Sequence, residues 1–204
     1  MNAIVVNNPY PMKAWQEVVD KFYRGVPCFL ETDLSNIDVE SDLFKKYCNS
    51  YKWHFRDTHR SLIIKMERNL TPYEFSYYDR MREFFGIDQV EMARNKPNNI
   101  ICNWEAGKDH NRRPRPCFVT AKFIVEKDFL HLSVTFRTRD IIKRMYPNFV
   151  AFRFFLEEQS SILNKKPGKL FDYSNQIIAE NKDLANVRGW REFTDYHLME
   201  NIWR

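Results

Sequence analysis

Cys117-Phe118-Val119-Thr120-Ala121-Lys122-Phe123-Ile124-Val125-Glu126, then Lys127-Asp128, then Phe129-Leu130-His131-Leu132-Ser133-Val134-Thr135-Phe136-Arg137-Thr138: this stretch decides the fold class. From Phe129 to Thr138 the apolar residues alternate. Leu130, Leu132, Val134 and Phe136 face one way, and His131, Ser133, Thr135 and Arg137 face the other. A period of two belongs to a strand with one buried face. The run Cys117 to Glu126 reads the same way, with Cys117, Val119, Ala121, Phe123 and Val125 on one face. Lys127-Asp128 leaves only a tight connection, so the two strands form an antiparallel hairpin.

Helices flank this hairpin on both sides. Upstream, Met12 to Arg24 carries Ala14, Trp15, Val18, Val19, Phe22 and Tyr23 at helical spacing, with Gly25 placed just past the end. Val26 to Leu30 and Ser61 to Met66 are strand candidates, and Asp42 to Tyr51 is a helix candidate. Thr71, Pro72 and Glu74 form a capping box with a proline start. The stripe Tyr73, Tyr77, Met81 and Phe84 follows, and Gly86 ends it. A shorter helix starts at Ile87-Asp88-Gln89 and reaches Arg94. Lys96-Pro97-Asn98-Asn99 is a turn, Ile100 to Trp104 a strand, and Glu105 to Pro116 a polar loop. Downstream, Asn148 to Leu163 reads as a largely apolar helix, Pro167-Gly168 ends that region, and Leu170 to Ile178 holds a last strand. Val187 to Trp203 shows no regular pattern. This order predicts an α+β fold, one sheet with helices packed on it, in a single domain spanning residues 1–204.

Composition narrows the function. A chain of 204 residues can bury a core without metal or disulfide staples. Hydrophobic content of 44% with 29% charged residues excludes a disordered chain, and 16% aromatics points to a core built on rings. A net charge of +5 suits an anionic small ligand and is too mild to demand nucleic acid. Cys28, Cys48, Cys102 and Cys117 form no CxxC pair and no secreted-type framework, so free cytosolic thiols are expected. The first eight residues lack a basic start and a long apolar run, and no stretch approaches the roughly 18 apolar residues that span a membrane. The expected location is cytoplasmic, with no membrane partner and no metal.

Three features carry possible chemistry. Cys117 follows Arg112, Arg113 and Arg115 within five residues. A lone cysteine at a strand start is most often a small buried hydrophobe, but nearby cations move a thiol toward the reactive thiolate. The arginine run by itself also reads as a solvated loop or a nucleic-acid patch. Arg137-Thr138 pairs a guanidinium with a hydroxyl, a combination that grips phosphate, although a salt bridge to Asp140 is the plainer alternative. Asn148, after Pro147, ordinarily marks a helix N-cap.

Taken in order, these residues resemble thymidylate synthases. That family has a tryptophan-ending strand, a Pro-Cys nucleophile, an Arg-Ser-x-Asp segment and an asparagine at a helix start. Here Trp104, Pro116-Cys117, Arg137-Thr138-Arg139-Asp140 and Asn148 follow one another at intervals of 13, 20 and 11 residues. Ser76-Tyr77-Tyr78-Asp79-Arg80-Met81 is similar to the family's Tyr-Gly-x-x-Leu helix segment, and Gly86-Ile87-Asp88-Gln89 to its Ile-Asp-Gln motif. Lys166-Pro167-Gly168 is similar to its Gly-Asp turn, so the resemblance spans Ser76 to Gly168. It implies a mixed sheet with packed helices, a homodimer formed through that sheet, and 5,10-methylenetetrahydrofolate as the one-carbon donor to a pyrimidine nucleotide. By the same resemblance Cys117 adds to C6 of the ring, Asn148 reads its O4/N3 edge in favour of uracil, and the Asp140 amide holds O2. Arg137 and Thr138 take the 5′-phosphate, Tyr77 serves the water network that removes the C5 proton, and Trp104 lines the substrate side.

The departures are equally definite. The family's Ser-Arg-Arg turn before the Trp104 strand reads Lys96-Pro97-Asn98-Asn99, so two cations are missing. A charge-assisted hydrogen bond contributes about 1.5–3 kcal/mol, so the phosphate grip is weaker unless Arg112, Arg113 or Arg115 substitutes. The sugar-binding His-x-Tyr falls on Ile178-Ala179-Glu180, and the glutamine before the arginine is Phe136. No motif identifies the family's catalytic glutamate, with Glu31, Glu40 and Glu67 all compatible by position alone, and the end Asn201-Ile202-Trp203-Arg204 is unlike the family's closing segment. Methylation and hydroxymethylation of C5 both remain open. So do a non-catalytic relative that keeps the fold as a binding module and a nucleic-acid-binding protein that uses the Arg112–Arg115 loop.

Overall fold

The computed structural model describes residues 3–38, 41–50, 77–82, 85–96, 99–111, 115–188 and 190. The elements in order are β1 (Ile4–Asn7), α1 (Pro11–Asp20), β2 (Cys28–Asp33), α2 (Asp42–Ser50), α3 (Tyr77–Arg82), α4 (Gln89–Asn95), β3 (Ile100–Cys102), the short α5 (Ala106–Asp109), β4 (Phe118–Glu126), β5 (Phe129–Phe136), β6 (Arg139–Asp140), α6 (Tyr146–Ile162), β7 (Lys166–Ser174) and β8 (Ile177–Ile178). Six strands form one mixed sheet in the order β1-β2-β7-β5-β4-β3, and β6 pairs with β8 in a small parallel ladder. The expected α+β architecture is therefore present. The expected strand Ser61–Met66 and the capping box at Thr71 lie outside the described residues.

The hairpin reading holds, with one phase error. β4 and β5 pair antiparallel from Phe118↔Phe136 to Glu126↔Phe129, and Leu130, Leu132, Val134 and Phe136 are all buried. In β4 the register shifts between Phe118 and Thr120, so Val119 is an extra residue. Such a bulge reverses which side chain points inward. Phe118, only 2% exposed, takes the core position expected of Cys117 and Val119, while Ala121 and Phe123 keep theirs. Val125, expected on the buried face, is exposed. Cys117 sits just before the strand, half-buried, with its neighbour rather than itself anchored in the core.

A second bulge corrects the reading of Pro167-Gly168. Both residues lie inside β7, where Leu130↔Pro167 gives way to Leu132↔Leu170. A Cβ on Gly168 would stand 2.5 Å from His131 Nδ1, so only glycine admits the histidine ring there. His131 Nδ1 accepts the Lys169 amide at 2.8 Å and closes the bulge.

Helix boundaries also move. α1 ends at Asp20 rather than Arg24, and Gly25, with φ of +84°, shapes the following loop instead of capping the helix. β3 stops at Cys102, two residues before Trp104. Asn148 is not an N-cap: α6 begins at Tyr146 with Pro147 in its first turn, preceded by a π-helical turn over Ile141–Met145.

One face of the sheet carries the core. α1 contributes Ala14, Trp15, Val18 and Val19, and α6 contributes Phe149, Val150, Phe155 and Leu156, against buried β2, β5 and β7 side chains. Trp15, Tyr47 and Tyr146 meet ring to ring within 6 Å, as the aromatic content led one to expect. Across the middle of that face Arg139 forms a buried ion pair with Asp172 and stacks over the Phe136 ring at 3.9 Å.

Candidate active site

Four segments converge where β4 begins. From α3, the Tyr77 hydroxyl accepts the amides of Cys117 at 2.8 Å and Phe118 at 3.2 Å. Its ring meets Phe118 edge-on at 5.4 Å. The residue after β5, Arg137, donates its own amide to the Cys117 carbonyl at 2.8 Å and its Nε to the Pro116 carbonyl at 3.4 Å. Its Nη1 donates to Thr138 Oγ1 at 3.2 Å. The backbone on both sides of the thiol is thus fixed by side chains 40 and 21 residues away in sequence.

Electrostatics at Cys117 pull in two directions. Burial pushes its thiol up, and the guanidiniums of Arg137, Arg144 and Arg139 oppose that, Arg137 also by a hydrogen bond to the sulfur. Burial, with the Asp172 carboxylate adding to it, pushes Cys28 up to about 12, and burial pushes Cys48 up to about 11.

The π-helical turn carries the rest of the site. Asp140 accepts the amides of Ile142 at 2.9 Å and Lys143 at 2.8 Å, so its carboxylate caps the turn. Burial pushes that carboxyl up, and the two backbone bonds and Lys143 hold it down. Trp15 donates to the Ile141 carbonyl, Tyr47 to the Ile142 carbonyl and Arg139 to the Met145 carbonyl. Lys143 points away to Glu180 at 2.8 Å and Asp183 at 2.9 Å. Arg144 is half-buried, and its charge acts on Asp140, Tyr77, Cys117 and Tyr47. Asn148 lies one turn further on, half-buried on α6.

The loop between Trp104 and Cys117 is anchored from beneath. Asp109 binds Arg80 bidentately at 2.8 and 2.9 Å in a fully buried pair, and also takes the Glu105 amide at 2.7 Å. Arg80 reaches on to the Asn103 carbonyl at 2.7 Å. Gln89 locks β3 by accepting the Cys102 amide at 2.8 Å and donating to its carbonyl at 3.0 Å. Asp88 caps α4 through the Glu91 amide and pairs with Arg82 at 3.0 Å. The Ile-Asp-Gln segment is therefore a brace for the strand that leads to Trp104.

Of the residues singled out in the sequence, Tyr77, Cys117, Arg137 and Thr138 are joined here by hydrogen bonds, and Asp140 caps the turn that follows. Trp104 is half-buried, edge-on to His110 at 5.4 Å, and Arg115 is exposed on the approach to Cys117. Arg112 and Arg113, like Glu40 and Glu67, lie outside the described residues. Glu31 binds Lys169 at 2.6 Å from β2, which is separated from β4 by β7 and β5. At about 4.8 Å per strand spacing, that puts it far from the Cys117 thiol. Sequence reasoning missed Arg144 and the Arg139–Asp172 and Arg80–Asp109 pairs. Only the Lys143-Arg144 doublet was visible, and nothing local told that Lys143 pairs with Glu180 and Asp183.

No family model matches the chain. It is 23% identical over 130 residues to a protein of Methanopyrus kandleri named "Putative thymidylate synthase", covering 60% of this chain and 62% of that one. A protein of Methanothermobacter marburgensis with the same name is 24% identical over 107 residues, covering 49% and 48%. The chain thus spans between about half and three fifths of the length of these relatives. Among solved structures, thymidylate synthase from T4 phage superposes with a TM-score of 0.56 at 15% identity, over 81% of this chain and 70% of that one. The fold is the one seen in that enzyme, and the chain is distantly similar in sequence to proteins named as putative thymidylate synthases.

Proposed function

We propose that this protein transfers a one-carbon unit to C5 of a uracil-type pyrimidine nucleotide through covalent addition of Cys117 to C6. The observation that carries the reading is the assembly around the thiol: Tyr77 on its amide, and Arg137 on the carbonyls of Pro116 and Cys117. Formation of the Sγ–C6 bond moves the C5=C6 electron pair toward C5 and O4, and C5 becomes the nucleophile. Loss of the C5 proton and departure of the sulfur then restore the ring double bond.

Each neighbour has a role in that sequence. Arg137 and Thr138 hold the phosphate, with Arg115 at the entrance. Asn148 reads the O4/N3 edge, and the Asp140 amide holds O2. Tyr77 keeps Cys117 in place and orders the water that takes the proton. 5,10-Methylenetetrahydrofolate supplies the one-carbon unit when bound. The half-buried Trp104 ring fits it, as an aromatic surface for a flat heterocycle beside the loop to Cys117. The open face of the sheet supports a homodimer: Val5 is 64% and Phe29 47% exposed, and Phe29 stacks on Tyr173 at 4.6 Å. All four cysteines are free, which suits a reducing cytoplasm. Among the described residues no helix is long and apolar enough to cross a membrane.

The test is tritium release from C5-labelled uridine and cytidine nucleotides in the presence of methylenetetrahydrofolate. Release from a uracil nucleotide that disappears in Cys117→Ala is the expected result. Absence of release from every pyrimidine, with the protein folded, overturns the transfer reading. It then favours a binding module, to which the burial that pushes the Cys117 thiol up also conforms.

A further inference from the structure

We infer that the buried Arg139–Asp172 pair is a positioning device for the site: it holds the turn Ile141–Met145, and with it Asn148, in one arrangement against the sheet, rather than raising stability. The inference rests on the reading given above, in which Asn148 and the Asp140 amide orient the pyrimidine that Cys117 attacks.

The pair is costly where it stands. The side chains of Arg139 and Asp172 are each 1% exposed. Taking two charges out of water costs about as much as their attraction returns, or more. Asp172 also accepts Ser174 Oγ at 3.2 Å, but Arg139 Nε has no hydrogen-bond partner among the described residues. The surroundings are apolar: the guanidinium carbon lies 3.9 Å from the centre of the Phe136 ring and 5.6 Å from that of Phe149. Ile141, Ile142 and Met145 are fully buried beside it. Apolar side chains of similar volume would fill such a place at equal or greater stability. What they could not supply is direction.

The geometry is that of a strut. Asp172 lies on β7, between β2 and β5 in the sheet. Arg139 Nη1 donates to Asp172 Oδ2, and Nη2 donates to the Met145 carbonyl at 3.2 Å. The backbone of Arg139 is fixed separately: its amide donates to the Gln176 carbonyl at 2.8 Å, and Arg139 pairs with Ile177 between β6 and β8. One planar guanidinium thus connects the middle of the sheet to the far end of the turn, just ahead of Asn148. The near end is tied by other groups. Asp140 accepts the amides of Ile142 and Lys143, and Trp15 and Tyr47 donate to the carbonyls of Ile141 and Ile142. None of these bonds reaches Met145. A π-helical turn is an uncommon conformation that neighbouring structure must hold. Two residues before Arg139, Arg137 grips the carbonyls of Pro116 and Cys117. The segment Arg137–Asp140 therefore joins the two halves of the site, the backbone of the nucleophile at one end and the turn leading to Asn148 at the other. Arg139 acts through that turn and is a positioning residue.

Two variants separate geometry from stability. Arg139→Met alone strands the Asp172 carboxylate and is expected to lower the urea midpoint. Combining it with Asp172→Leu removes both charges and is expected to return the midpoint to the wild-type value or above it. In that stable double variant, amide hydrogen exchange over residues 141–148, followed by peptide mass spectrometry on the free protein, is expected to be about tenfold faster than in wild type, with exchange in β4 and β5 unchanged. With a C5-tritiated uracil nucleotide and methylenetetrahydrofolate, kcat should fall about tenfold or more and KM should stay within about twofold, because Arg137 and Thr138 still hold the phosphate. A double variant less stable than wild type overturns the inference, since the pair would then be a stabilising element. Wild-type exchange over residues 141–148 in the double variant overturns it too, as does faster exchange with an unchanged kcat. Stability and exchange are read without nucleotide or folate, so they judge the strut by themselves. A wild-type protein that releases no tritium, with the exchange result as expected, removes the transfer reading and leaves Arg139 as the residue that holds the turn.

Discussion

At the residue scale the site is governed by a competition at one sulfur atom. Burial disfavours the thiolate of Cys117, and nearby guanidiniums offset part of that effect, leaving the thiol pushed up. Tyr77 acts on the same residue without touching the sulfur: its hydroxyl accepts two consecutive amides at the point where the chain enters β4. Replacing it with phenylalanine keeps the ring for packing on Phe118 and removes the hydroxyl that accepts the two amides. Buried donors left without a partner cost about 1–3 kcal/mol. Tyr77→Phe is therefore expected to lower the unfolding free energy by about that amount, measured by urea titration. It should also loosen the Cys117 backbone enough to slow tritium release. A variant as stable and as active as wild type would show that these two bonds are dispensable.

At the element scale the loop from Trp104 to Cys117 is held by α3, not by its own sequence. The Arg80–Asp109 pair is fully buried, with further bonds to the Asn103 carbonyl and the Glu105 amide. Removing one partner of such a pair leaves a buried charge and costs about 3–5 kcal/mol. Arg80→Met should lower the urea midpoint accordingly and disorder the approach to Cys117, which limited proteolysis between residues 104 and 116 would detect. A loss below about 1 kcal/mol would mean that the pair behaves like a solvated surface bridge. The bulge at Val119 belongs to the same scale. It turns Phe118 into the core and leaves Cys117 at the rim, so the strand that starts beside the thiol also anchors it.

At the scale of the whole molecule, helices cover one face of the sheet and the other face carries Val5, Phe29, Tyr173 and Thr135 in one row across β1, β2, β7 and β5. Val5 and Phe29 are exposed in this row and Tyr173 is half-buried beside them, and exposed apolar surface of this kind costs solubility unless a partner covers it. Burying it in a twofold interface predicts a dimer by sedimentation equilibrium. Phe29→Glu, which places a charge in the middle of the row, should shift the equilibrium to monomer by at least tenfold in dissociation constant. A wild-type protein that is monomeric at tens of micromolar would exclude this interface as the dimer surface.

The sequence by itself determined the hairpin, the α+β class and the order of the chemical residues, because period-two alternation and residue spacing are local properties that need no knowledge of neighbours. It brought Tyr77, Cys117, Arg137 and Asp140 onto one page, but only through resemblance, since no local rule ties residue 77 to residue 117. What the tertiary structure decided is everything that depends on a single-residue shift or a long-range charge. The bulges at Val119 and at Gly168 insert one residue each and reverse which side chains face inward, a change no alternation pattern registers. The direction of Lys143 follows from Glu180 and Asp183, the former 37 residues further along the chain. Asn148 moved from a cap to the first turns of α6 because the π-helical turn before it satisfies the helix start through Asp140. Local pattern fixes which residues alternate; only the packed chain fixes where their charges and edges meet.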